Sequence, residues 1–159
     1  MAADYFLQIT GIAGESTDAK HKSWIDVEAW SWGEANPQPV SAGSGSAAGK
    51  VQMQDFNIAT RTSKASPALF LACATGQHMK EAKLVGVKTG PTQQEFLTWT
   101  FSDVLVSGYQ IAAAAGDVPM DQITFTFSKI KVEYRAQKAD GSLETPIVAG
   151  WDKKTNKKV

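Results

Sequence analysis

Three hydrophobic runs in this chain change the parity of their apolar residues partway along. Ile25 and Val27 give way to Trp30 and Trp32, Leu97, Trp99 and Phe101 to Val104 and Val106, and Ile123, Phe125 and Phe127 to Ile130, Val132 and Tyr134. Side chains alternate between the two faces of a strand, so an offset of one residue turns every later side chain to the other face. Either a β-bulge absorbs the offset, the last of them near Ser128-Lys129, or the strand buries opposite faces at its two ends, one against the core and one against another subunit. Both solutions need a strongly curved sheet, as in a closed barrel.

Alternation and β-branched or aromatic enrichment predict strands near Tyr5–Ile9, Trp24–Trp32, Val51–Ile58, Met79–Val87, Glu95–Val106 and Gln122–Tyr134, with a weaker one at Ile147–Trp151. Before the second strand, Gly14, Ser16, Thr17 and Asp18 form a polar turn. One segment reads as a helix. Ser66 can cap it, Pro67 suits its first position and Gly76 suits the residue after its end. Leu69, Phe70 and Cys73 would then form an apolar face that covers one side or end of the barrel. The expected architecture is a mainly β, antiparallel β-barrel with one short flanking α-helix.

A chain of 159 residues fits a single domain, here 1–159, and 43% apolar with 20% charged residues argues against disorder or a membrane span. Sixteen basic residues balance sixteen acidic ones, so no long-range field draws nucleic acid or anionic lipid, and Lys153, Lys154, Lys157 and Lys158 read as a frayed basic tail. Cys73 is the one cysteine and has no internal disulfide partner. The first residues, Met1 to Gln8, carry neither a basic nor a long apolar region, so no secretory signal peptide is expected and first residence is cytoplasmic.

The segment 34–50 is rich in Gly, Ser and Ala, with Pro37 and Pro39 and almost no large side chain after Val40. A loop of this length in a compact domain is usually a binding element or a disordered segment. Its end, Gly43 to Lys50, superficially resembles a phosphate loop, but Ser44 and Val51 stand where a glycine and a hydroxyl residue are needed, and a strand follows instead of a helix. A second break is read at Gln110–Pro119.

His21 and His78 lie far apart in sequence with no second cysteine, so neither a metal site nor a cofactor is expected. Cys73 reads as a small core residue and not as a nucleophile paired with His78. His21 is expected to order the polar turn through Glu15 or Asp18. Asp26 and Glu28 share a strand face, where like charges raise a carboxyl pKa, and salt bridges to lysines are the expected outcome. Trp30 and Trp32 read as packing residues rather than a sugar platform.

The run Gly14-Glu15-Ser16, Asp18, His21, Ile25-Asp26-Val27, Trp30-Ser31-Trp32-Gly33 also resembles the opening of the haemolysin-coregulated protein (Hcp) family, the tube subunit of type VI secretion. The likeness continues in order through Gly49-Lys50-Val51, Asp55-Phe56, Lys64-Ala65-Ser66-Pro67, Leu69, Ala72-Cys73, Gly76 and His78. Ala82-Lys83-Leu84, Asp103 to Ser107, Tyr134, Gln137 to Gly141 and Gly150-Trp151 complete it. The resemblance implies a β-barrel protomer that assembles as a homohexamer, the rings stacking into the inner tube of a contractile injection machine. Its implied partners are the sheath, spike and baseplate components and small effector proteins carried in the lumen, with no nucleic acid, no membrane insertion and no catalysis. The protein would be made in the cytoplasm and secreted by the type VI machine without a signal peptide.

Within that frame, Pro37, Pro39, Val40, Gly43 and Gly45 are expected in a loop that reaches from one ring to the next. Ala29, Ser31 and Gly33, opposite Trp30 and Trp32, are expected to face the lumen. The rival reading is a monomeric β-barrel ligand-binding module whose lid is the 34–50 loop. A hydrolase using Asp26 or Asp103 is a third, weaker alternative.

Overall fold

The computed structural model describes residues 2–37 and 50–159. Its spine is β8 (Gln94–Ala112), 19 residues long. One edge of β8 pairs antiparallel with β7 (His78–Lys88). The other edge carries β10 (Lys129–Tyr134) along its first half and β9 (Met120–Thr126) along its second. From β9 the ladder passes to β6 (Phe56–Arg61) and β3 (Ala29–Ser31), and from β7 to β1 (Ala3–Ile9) and β2 (Ile25–Val27). No strand pair joins the two arms among the described residues; the chain does, because β2 and β3 are separated only by Glu28. The architecture is thus mainly β and antiparallel, a barrel completed through one residue.

Outside it, β10 continues to β11 (Ile147–Asp152) and β12 (Lys157–Lys158), and β4 (Glu34–Ala35) pairs with β5 (Gln52–Met53) as a separate ribbon.

Each parity switch falls where the chain changes partner. The expected strand at 24–32 is two strands broken at Glu28, the first paired with β1 and the second with β6. The expected strand at 122–134 is likewise β9 and β10, broken at Phe127-Ser128. In β8 the switch lies at Asp103, whose φ of 55° is left-handed, a strained value for a non-glycine residue. The strand expected at 51–58 is also two, β5 and β6, interrupted at Gln54-Asp55.

The barrel interior is filled. Phe56, Phe101 and Phe125 are each fully buried, with ring centroids 4.7 to 5.6 Å apart. Leu7, Ile9, Ile58, Leu84 and Ile123 close the core around them.

The helix α1 (Ser66–Thr75) lies against β8 and ends at Gly76, which takes the left-handed φ of 66° that its sequence position predicts. Ala65, not Ser66, occupies the cap position. Ser66 is buried and its hydroxyl donates to the fully buried carboxylate of Asp121, which also accepts from Thr62 Oγ1 at 2.8 Å. That bond sets which face of the helix turns inward: Ser66, Leu69 and Ala72 are buried, whereas Phe70, expected in the core, is 61% exposed.

Candidate functional site

Ala29 and Ser31 are exposed on β3, on the side opposite Trp30, which packs edge-on against Tyr5 and stacks on Phe56. Gly33 is half-buried beside the amide of Gln54. Between them Trp32 turns inward, its indole Nε1 donating to the Gln54 carbonyl at 2.8 Å and its ring 5.6 Å from Trp99. The small residues and the indoles therefore segregate to opposite faces of one short segment.

The β4–β5 ribbon holds both ends of the segment that follows. Glu34 is opposite Met53 and Ala35 opposite Gln52, so Asn36-Pro37 and Lys50-Val51 leave the fold side by side. Glu34 and Ala35, read as loop, are thus strand. Pro37 is exposed at the edge of this ribbon, while Pro39, Val40, Gly43 and Gly45 lie outside the described residues.

A cavity of about 690 Å³ opens between this ribbon and strands β8, β10 and β11. Trp32, Met53, Trp99, Val132, Ala149 and Trp151 line it, and among the described residues Glu34 is the only ionisable one in its wall. The indole Nε1 groups of Trp99 and Trp151 are buried and have no hydrogen-bond partner among the described residues.

The polar turn is fixed by His21, which is 1% exposed. Its Nδ1 lies 2.7 Å from Asp18 Oδ2 and its Nε2 2.8 Å from Glu95 Oε1. The ring stacks on Phe6 at 4.7 Å and meets Trp24 edge-on at 4.8 Å. Asp18 also accepts from Gln93, and this bond first, then that from His21, holds its carboxyl below the usual range. Glu15, the other partner expected for His21, instead accepts from the Lys64 amide at 2.8 Å.

The remaining ionisable candidates stand apart. Burial, then the charge of Glu28, pushes the Asp26 carboxyl up, and Glu28 pairs with Arg61 at 3.0 Å in place of a lysine. Asp103 faces His78 at 3.1 Å and Lys154 at 3.4 Å, and these two bonds hold its carboxyl down. Cys73 is partly buried against the core, and His78 is engaged with Asp103. Asp26 and Asp103 thus sit on different elements with separate partners. No group of three or more metal-ligating side chains occurs among the described residues, and no helix there is long and apolar enough to cross a membrane.

Residues 6–134 match the family model described as "Type VI secretion system effector, Hcp". The chain is 38% identical to "Protein hcp1" of Pseudomonas aeruginosa over 159 residues, covering 98% of each. Among solved structures it is similar to one titled "Structure of a type six secretion system protein", with a TM-score of 0.94, 31% identity, and coverage of 99% of this chain and 100% of that one. It is also similar to Hcp1 from Salmonella typhimurium, with a TM-score of 0.79, 34% identity and full coverage of both chains. A type VI secretion system effector from Yersinia pestis gives 0.78 at 35% identity, over 94% of this chain and 99% of that one.

Proposed function

From the premise that this chain belongs to the Hcp family of type VI secretion proteins, we propose that it is a structural tube subunit and not an enzyme. Six copies close into a ring, rings stack into the inner tube that a sheath propels, and the lumen carries small effector proteins. The observation that carries this reading is likeness over nearly the whole chain in both sequence and backbone. A packed barrel interior, which leaves function to the outer faces, supports it. Contacts between identical subunits that join unlike faces close into a ring when the rotation per subunit divides a full turn.

Within this reading Ala29, Ser31 and Gly33 face the lumen, supported by the exposure of the first two and their separation from the indoles. The segment containing Pro37, Pro39, Val40, Gly43 and Gly45 reaches the next ring from its anchor in the β4–β5 ribbon. Export by the machine needs no signal peptide, and spike, baseplate and sheath are the partners in assembly.

Light scattering of the purified protein tests the core of the proposal: a ring gives about six times the 17.1 kDa protomer mass, and a monomer at every concentration refutes it. Deleting residues 40–47 should leave rings intact and abolish tubes. Ser31→Gln should release cargo without dissolving rings, and unchanged cargo retention would remove Ser31 from the lumen wall.

A further inference from the structure

We propose that the outward face of β3, β6, β9 and the C-terminal part of β8 recognises its partner through hydrogen bonds from uncharged side chains, and so takes protein surfaces that are polar and carry no charge. The inference rests on the tube reading above for the identity of that partner as cargo, and it names the class of cargo surface that the face fits.

The ladder fixes which residues share this face. Ser31 is opposite Asn57 and Asn57 opposite Thr124, while Ala29 is opposite Ala59, Ala59 opposite Gln122 and Gln122 opposite Gln110. Directly paired residues point to the same side of a sheet, and the row between these two, Trp30, Ile58 and Ile123, packs into the core. Both rows therefore point outward. Neither contains an ionisable side chain, although 20% of the chain is charged. The outward face of β10, β8 and β7 shows the contrast: there Lys131 and Lys83 flank Thr100, and Lys129 and Glu81 flank Ser102.

The charges that border the neutral rows are already engaged. At one end Asp55 accepts from the Ser107 hydroxyl, and at the other Arg61 is paired with Glu28 at 3.0 Å. A charged group pressed against these rows would lose its water and gain no opposite charge, so the face discriminates against charged partners. What it offers instead is amides and hydroxyls. Asn57 uses one donor on the Asp55 carbonyl at 3.3 Å, whereas Gln110 and Gln122 are exposed and side by side. Each glutamine amide brings two donors and an acceptor, the complement of side-chain amides, hydroxyls and free peptide groups on a partner. Four strands ~4.8 Å apart make the face about 14 Å wide, room for several such groups at once. Gln110 and Gln122 are its longest side chains and its specificity-determining residues.

The probe is one small folded domain whose exposed helix is made in three versions, rich in Asn, Gln and Ser, in Glu, or in Lys. Wild-type protein should bind the neutral version about tenfold more tightly than either charged one by isothermal titration calorimetry. Its Kd should change less than about twofold from roughly 50 to roughly 500 mM NaCl, since no ion pair is there to be screened. Gln122→Glu, checked for folding by circular dichroism, should weaken the neutral version about fivefold and favour the Lys version, while Gln122→Asn keeps the wild-type preference. A charged version bound by wild type as tightly as the neutral one, no binding of the neutral version, or a Gln122→Glu protein with unaltered preference would each overturn the inference. The face is open on the protomer, so these measurements hold whatever the state of assembly. Wild-type protein that stays monomeric by light scattering would sink the tube reading and leave the preference of the face to be judged on the binding data.

Discussion

Replacing His21 by Ala should be among the most destabilising single changes outside the aromatic core. The imidazole ties the polar turn to β8 at Glu95, 74 residues away in sequence, beside the bonds that Gln93 makes to Asp18 and Lys20 of the same turn. Its bond to Asp18 at 2.7 Å is sheltered, with Asp18 only 12% exposed, and a hydrogen bond to a charged partner in such a place is worth about 1.5–3 kcal/mol. Glu95 is 47% exposed, so solvent screening reduces its bond to a few tenths of a kcal/mol, on the order expected for surface pairs. Loss of the stack on Phe6 and the edge contact with Trp24 adds about 1 kcal/mol. The sum, about 3–4 kcal/mol, corresponds to a fall in Tm of roughly 6–16 °C for a domain of this size. Thermal and urea denaturation of the wild-type and variant proteins at one fixed protein concentration would measure it, with His21→Gln as a control that keeps one donor. A loss below about 1 kcal/mol for His21→Ala would refute the reasoning.

Gly14→Ala should destabilise by about 1–3 kcal/mol, because an added Cβ would stand 2.4 Å from the Trp24 carbonyl oxygen, where backbone must move to admit it; urea denaturation reads the change. Phe101→Ala removes a fully buried ring that contacts Phe56, Phe125 and Phe127, and should cost about 3–5 kcal/mol in the same assay. Asp26→Asn should raise Tm at neutral pH. The folded-state pKa of Asp26 lies above its unfolded value, so the ionised group weakens the fold at pH values above the folded pKa, and the penalty fades as pH falls through it. The gain of the variant should accordingly shrink in acid, and an equal Tm difference at every pH would contradict the assignment. Asp18 has the opposite sign: its depressed pKa gives stability present above the unfolded value and lost as pH falls through the folded one, so Asp18→Asn should cost stability at neutral pH and progressively less in strong acid.

Much of the barrel was legible because its strands alternate. The parity switches located the partner changes at Glu28, Asp103 and Phe127-Ser128, since a strand that serves two sheet regions must turn its apolar side chains twice. The end of β8 was not legible. The strand was expected to end at Val106 and a break was read at Gln110–Pro119, whereas β8 runs on to Ala112 with Gly108 inside it, where an added Cβ would come 2.5 Å from Thr124 Oγ1. A glycine demanded by close approach looks like one demanded by a turn until the neighbour is known. The basic tail was likewise misread, because two of its lysines pair with β11 as β12. The inward face of α1 was out by a fraction of a turn, since Ser66 and the distant Asp121 fix it. The cavity wall draws on five strands, and no local pattern announces that Trp32, Trp99 and Trp151 converge.

Glu28 has a mechanical consequence. Because its amide bonds to Ala59 while the residues before it pair with β1, the two flanks meet at a covalent hinge and share no ladder there. Loosening one flank need not unzip the other, so the girth of the cylinder can yield locally under squeezing or tension while the opposite wall keeps its shape.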